Sequence, residues 1–216
     1  MTILALEFSS QRRSVALADG TRGTRPAESE IFEAVEETGG RGTNVFGLVE
    51  NVLAAANVSR DEIEVIAVGL GPGSYTGVRA AIAVAQGWEL ARGVKLLGVS
   101  SVESLAAQAQ AEKIFGRVNL VLDAQREEFY LAEWEISAAR RAEIAALKIV
   151  PAAEIAARLA AGEICAGPEM TQALFPSAAA VARLAAGRTD FLPGEKLEPV
   201  YLRATNFVKA PAGRGF

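Results

Sequence analysis

The sequence predicts an α/β fold in two halves, each with a mixed sheet flanked by helices. Three observations carry this. Short apolar runs alternate with longer stretches of helical periodicity, a glycine-rich turn joins one such run directly to a helix, and a new set of strands begins near mid-chain.

Residues 3–8 are apolar enough for a central strand, and 14–18 follow across a polar connection as its hairpin partner. Residues 31–36 read as a third strand. Beyond Gly39-Gly40, Val45, Leu48, Val49, Val52, Leu53 and Ala56 recur at helical spacing, with Thr43 as N-cap. Residues 65–68 are a buried strand, followed by the glycine turn and a helix over 74–91 that ends before Gly93. The next strand is 96–99, and its helix starts at Ser100 or Ser101 and runs to 111. In the second half, 118–122, 129–134 and 144–150 read as strands. Pro151 suits the first turn of a helix stopped by Gly162, and 178–186 read as a short helix. Periodicity is lost after Pro193, and 209–216 read as a frayed tail. Two lobes are expected, 1–110 and a smaller 111–216.

A chain of 216 residues, 50% hydrophobic and 22% charged, has the balance of a globular protein with a real core. No run approaches the roughly 18 apolar residues of a membrane span, and the N-terminus lacks the basic start of a signal peptide, so a cytoplasmic protein is expected. The lone Cys165 lies in an apolar segment and reads as a core thiol. A net charge of −4 with scattered basic residues gives no footprint for a phosphate backbone. There is no histidine, which excludes a Ser-His-Asp triad, an HExxH zinc site and any two-histidine metal site.

The turn itself is Gly69-Leu70-Gly71-Pro72-Gly73-Ser74-Tyr75-Thr76-Gly77-Val78-Arg79. Its glycines permit positive φ and close backbone approach, and Ser74 can cap the helix behind it. Such a helix start attracts anions, although the same glycines also suit a plain tight turn. The Gly-Lys-Ser/Thr ending of a P-loop is missing, and the loose dinucleotide pattern Gly71-x-Gly73-x-x-x-Gly77 does not follow the first strand. In the helix, Gly77, Ala80, Val84, Gly87 and Ala91 form a seam of small side chains, with Arg79, Gln86 and Glu89 toward the other side among Tyr75 and Ile82. The seam either packs on the chain's own sheet or, with the 45–56 helix, makes a protein interface.

At these residues the chain resembles the bacterial TsaB (YeaZ) family. Gly71-Pro72-Gly73-Ser74-Tyr75-Thr76-Gly77-Val78-Arg79, continuing to Ala85-Gln86-Gly87, is similar to its most specific signature. Leu4-Ala5-Leu6-Glu7-Phe8-Ser9-Ser10, Gly98-Val99-Ser100-Ser101, Asp123-Ala124 with Tyr130, and Pro199-Val200-Tyr201-Leu202-Arg203 agree with it in order. The resemblance implies a fold like the actin, Hsp70 and sugar-kinase ATPases, an RNase H-like lobe present twice. It implies a non-catalytic scaffold or activator that pairs with TsaD, joined by the ATPase TsaE, in the complex that adds threonylcarbamoyl to adenosine 37 of tRNA. TsaD carries a His-x-x-x-His metal pair where this chain has Ser101 and Leu105.

In such folds the first hairpin embraces phosphate, so Glu7, Ser9 and Ser10, with Gly71, Gly73 and Ser74 of the turn, are the nucleotide-edge candidates. Glu7 stands in place of the usual aspartate, and Gln125 in place of an arginine after Asp-Ala. The partner-interface candidates are Val45, Leu48, Val49, Val52, Tyr75, Gly77, Ala80, Ile82, Val84, Gly87 and Ala91. No catalytic residue, metal site or cofactor is expected in the chain alone. ATP and magnesium are allowed only in the assembled complex, tRNA is reached only through that complex, and the free chain is expected to be a homodimer. Two enzyme alternatives stand beside this: an actin-like ATPase or phosphotransferase using Glu7 as an outer metal carboxylate, and a dinucleotide-dependent oxidoreductase.

Overall fold

The computed structural model describes residues 1–19, 30–37 and 44–202. Two five-stranded sheets carry the chain. The first is built from β1 (Thr2–Glu7), β2 (Arg12–Asp19), β3 (Glu30–Glu37), β4 (Val65–Gly69) and β5 (Lys95–Val99), in the order β3-β2-β1-β4-β5. The second uses β6 (Gly116–Asp123), β7 (Glu128–Ile136), β8 (Arg141–Pro151), β9 (Ile164–Gly167) and β10 (Gln172–Ala173), in the order β8-β7-β6-β9-β10. The two orders are the same pattern. In each sheet the first three strands run antiparallel and the last two join the central strand in parallel. This duplicated mixed sheet agrees with the actin-like, RNase H-like fold that the family resemblance implied.

β1 and β4 are buried along their whole length, as strands covered on both faces must be. Alternation sorts their side chains. Leu4, Leu6, Val15, Leu17, Ile66 and Val68 join the core under α1 (Val45–Ala56) and α2 (Tyr75–Arg92). Ile3, Ala5, Ala16, Ala18, Val65 and Ala67 face the opposite core, built with α5 (Ala178–Ala185). Alanines on both sides of that second contact let the helix lie close to the sheet.

The helix boundaries follow the local chemistry. Thr43, expected to cap α1, lies outside the described residues; the cap is Asn44, whose side-chain oxygen accepts from the Gly47 amide at 3.1 Å. Ser74 and Ser100 cap α2 and α3 (Ser101–Ala111), and Gly93 ends α2 in the left-handed region. Pro151 is the N-cap of α4 (Ala152–Ala160) rather than part of its first turn. Gly39, Gly40 and the 209–216 tail also lie outside the described residues.

Two helices pack on the sheet of the other half of the chain. α3 lies on the second sheet, where Val102, Leu105, Ala106 and Ala109 pack with Val118, Leu120 and Ala132. α5 comes late in the chain yet returns to the first sheet. α3 contacts the strands that follow it in the chain, whereas α5 returns to β1 and β2, more than a hundred residues earlier.

The N-terminus of α5 is held by side chains from several elements. The amides of Ser177, Ala178, Ala179 and Ala180 donate to Ser104 Oγ (3.2 Å), Ser14 Oγ (2.8 Å), Glu33 Oε1 (3.0 Å) and Ser177 Oγ (3.2 Å). A helix start leaves its first amides without intrahelical partners, so these oxygens fix α5 in position and orientation.

Residues 192–202, where periodicity is lost, form an ordered strap. The Leu192 amide donates to Leu96 O at 2.9 Å, Gln86 Nε2 to Gly194 O at 2.8 Å, the Gly194 amide to the Glu89 carboxylate at 3.0 Å, and the Val200 amide to Leu70 O at 2.8 Å. Leu197 anchors it in the first core. No described helix is long and apolar enough to cross a membrane.

Ser14→Ala should lower stability by about 1 to 3 kcal/mol, because the Ala178 amide is left buried without an acceptor. Denaturant unfolding of the variant against the parent measures it.

Candidate functional site

The glycine turn is a backbone knot at the end of β4. Gly71 has φ 83° and Gly73 φ 147°, conformations that a side chain strongly disfavours. The Ser74 amide donates to Ser9 O at 2.6 Å, which ties the turn to the β1–β2 hairpin. The Ser101 amide donates to Gly71 O at 2.9 Å, and the Gly71 amide donates back to Ser101 Oγ at 3.1 Å, which ties it to the start of α3. A Cβ on Gly77 would run into the Phe8 carbonyl oxygen, so α2 crosses the end of β1 only because residue 77 has no side chain.

Glu7 lies at the centre of this knot with no exposed surface. Its Oε1 accepts from the Ser9 amide and its Oε2 from Ser101 Oγ, both at 2.8 Å. A Cβ on Gly69 would collide with the carboxylate, so that glycine makes the room the charge occupies. Burial pushes the Glu7 carboxyl above its ordinary range, opposed in part by the hydrogen bonds from Ser9 and Ser101.

The structure thus brings Glu7, Ser9, Gly71, Gly73 and Ser74 together, but their polar groups largely serve the chain itself. Ser9 is buried, and Ser74 Oγ accepts from the Gly77 amide at 3.3 Å. Ser10 stands apart on the exposed hairpin, bonded to the Arg12 backbone. Glu7 is enclosed rather than turned toward solvent, so the expectation of an outer metal carboxylate does not match its position. Among the described residues no three His, Cys, Asp or Glu side chains cluster to hold a metal ion. Ser101 and Leu105 are both fully buried.

The interface candidates divide by burial. Leu48, Val49, Val52, Gly77 and Ile82 are covered by the chain's own core and support the surface from behind. Val45, Ala80 and Val84 are half-buried, whereas Tyr75, Gly87 and Ala91 are exposed. A Cβ on Gly87 would meet nothing within 4 Å, so the seam faces outward at that point. Phe46 and Leu90, 65% and 87% exposed, extend this outward layer. Neither was picked out from the sequence; the available signal was a large apolar residue out of phase with the buried stripe of its helix.

At the N-terminal end of α2, the strap brings Tyr201 onto Tyr75 and Arg79. The two rings stack with centroids 5.7 Å apart, the Arg79 guanidinium lies 4.4 Å from the Tyr75 centroid, and its Nε donates to the Tyr201 hydroxyl at 3.0 Å. In the second lobe, Arg158 binds Glu133, Glu154, Glu163 and Asn119 and fastens α4 to the sheet. Hydrogen bonding from Arg117, aided by the charge of Arg158, holds the Glu133 carboxyl below its ordinary range despite its burial.

With this geometry in view, the family model described as "TsaD: tRNA N6-adenosine threonylcarbamoyltransferase" matches residues 42–186, more than half of the chain. The chain belongs to this family. Several similar proteins carry the TsaB and YeaZ names, as the glycine-turn signature led one to expect. The "tRNA threonylcarbamoyladenosine biosynthesis protein TsaB" of Escherichia coli (strain K12) is 34% identical over 135 residues, 62% of this chain and 55% of that protein. The Bacillus subtilis (strain 168) protein of the same name is 28% identical over 130 residues, 60% of this chain and 53% of that one. The chain's matches thus span about half the length of these curated relatives. The solved structure "YeaZ from Pseudomonas aeruginosa" is 29% identical with a TM-score of 0.75, covering 93% of this chain and 99% of that chain.

The Glu7 carboxyl has a raised folded-state pKa, so its protonated form stabilises the fold at low pH, and this contribution is lost as pH rises through that value. Glu7→Gln keeps an acceptor for the Ser9 amide and an amide donor for Ser101 Oγ. The stability of the variant relative to the parent should therefore rise with pH above the ordinary carboxylate range, by at most about 1.4 kcal/mol per pH unit. Urea unfolding of both proteins across a pH series tests this; a difference independent of pH would show that Glu7 titrates normally.

Proposed function

We propose that this chain is a non-catalytic scaffold and activator subunit of the bacterial complex that adds threonylcarbamoyl to adenosine 37 of tRNA. It pairs with TsaD through the outward layer of α1 and α2, TsaE joins the pair, and the free chain associates with itself through the same layer. The observation that carries this is a family signature in a chain with no histidine at all. The TsaD metal pair corresponds to Ser101 and Leu105, a hydroxyl committed to Glu7 and an aliphatic side chain in the core. Neither can replace an imidazole ligand.

The rest of the surface is consistent with this role. A net charge of −4 suits a subunit that meets tRNA through its complex and works in the cytoplasm. ATP and magnesium belong to the assembly. The competing role as an actin-like phosphotransferase needs a carboxylate that faces magnesium, and Glu7 is enclosed.

The purified chain, given tRNA and threonylcarbamoyl-AMP, is expected to transfer nothing, while adding TsaD and TsaE should restore modification. Turnover by the lone chain, or heat on titrating it with ATP, overturns the proposal. Gly87→Trp should weaken association with TsaD about tenfold or more, with an unchanged melting temperature, because the new side chain enters open space on this chain. Interferometry at several TsaD concentrations measures it.

A further inference from the structure

Arg79 differs from the ion-paired cations of this chain. Arg60, Arg92, Arg117, Lys148, Arg158 and Arg188 each pair with at least one of the chain's own carboxylates. Among the described residues no carboxylate pairs with Arg79. Its plane is held by the Tyr75 ring on one side and the Tyr201 hydroxyl at Nε, while the side chain stays at the surface. Tyr75 and Tyr201 are themselves 55% and 44% exposed. A guanidinium fixed through its Nε edge keeps its two terminal nitrogens as a fork, the geometry that grips a carboxylate with two parallel hydrogen bonds.

The hydroxyl that orients this fork arrives from 122 residues away in sequence. The strap that delivers it is anchored at Gly194, Leu197 and Val200 before it reaches Tyr201. Nothing in the fold of the first lobe needs an exposed cation stacked on exposed rings. The cost of ordering these side chains at the surface is recovered when a partner covers them, and tyrosine and arginine are the residues enriched at the energetic centres of interfaces.

We propose that Arg79, preorganised by Tyr75 and Tyr201, binds an acidic side chain of the protein partner and anchors one end of the α2 interface. This rests on the pairing with TsaD proposed above. A guanidinium fork held by two rings on a chain of net charge −4 fits a carboxylate. A nucleic-acid backbone calls for several cations together, whereas the side chains that hold Arg79 are the two tyrosines. Arg79 lies on the same helix as Gly87, so the carboxylate contact continues the small-residue seam toward the start of α2.

The test compares association with TsaD for the parent chain, Arg79→Gln, Arg79→Lys, Tyr201→Phe and Gly87→Trp, with melting temperature as the folding control. Arg79→Gln should weaken binding about tenfold or more and reduce its dependence on salt. Arg79→Lys should fall between parent and Arg79→Gln, because charge survives without the planar fork. Tyr201→Phe should cost about two- to fivefold, since the ring remains and only the orienting hydroxyl is lost. Binding by Arg79→Gln within twofold of the parent, while Gly87→Trp is weakened, overturns this assignment and leaves the pairing intact. A parent chain that does not bind TsaD removes both. Binding of tRNA by the isolated chain that disappears in Arg79→Gln reassigns the fork to phosphate and overturns the proposal as well.

Discussion

The enclosure of Glu7 is the constraint on which the first lobe and its junction with the second depend. A fully buried carboxylate is costly unless its oxygens are hydrogen-bonded, and here each oxygen has one donor from a different part of the chain. The Ser9 amide comes from the first hairpin, and the Ser101 hydroxyl from the start of α3. Ser101 in turn closes a two-way hydrogen bond with Gly71, so the hairpin, the glycine turn and α3 form one unit. Because α3 packs on the second sheet, this unit also sets where the second lobe sits.

The other junction is the reverse exchange, in which α5 lies on the first sheet with its opening amides bound by oxygens from β2, β3, α3 and its own cap. Two helices exchanged in opposite directions make the lobes hard to separate without breaking both cores. The positions of the outward residues on α1 and α2 are set from behind. Leu48, Val49, Val52 and Ile82 do this by packing, and the strap does it along the flank of α2.

The glycine turn has the look of an anion cradle, yet its geometry serves the structure of the chain. Positive φ at Gly71 and Gly73 and close approach at Gly69 and Gly77 are all required here by contacts within the chain. The Ser74 amide and Ser74 Oγ are committed to Ser9 O and to Gly77. The segment that most resembles an anion cradle therefore joins the hairpin, α2 and α3 within the chain.

By itself the sequence determined the elements and their kind, because periodicity, caps and glycine stops are local signals. Strands β1 to β8, the α2 helix between Ser74 and Gly93, and the absence of any imidazole were legible in this way, whereas the short β9 and β10 were not. So was the family, through the run from Gly71 to Arg79. Only the tertiary structure decided which helix lies on which sheet, that Glu7 is enclosed, that Leu48 and Ile82 face inward while Phe46 and Leu90 face out, and that Tyr201 reaches Arg79. Each of these depends on contacts between residues far apart in the chain. Sequence pattern records which face of an element is apolar, and folding alone settles which neighbour covers it.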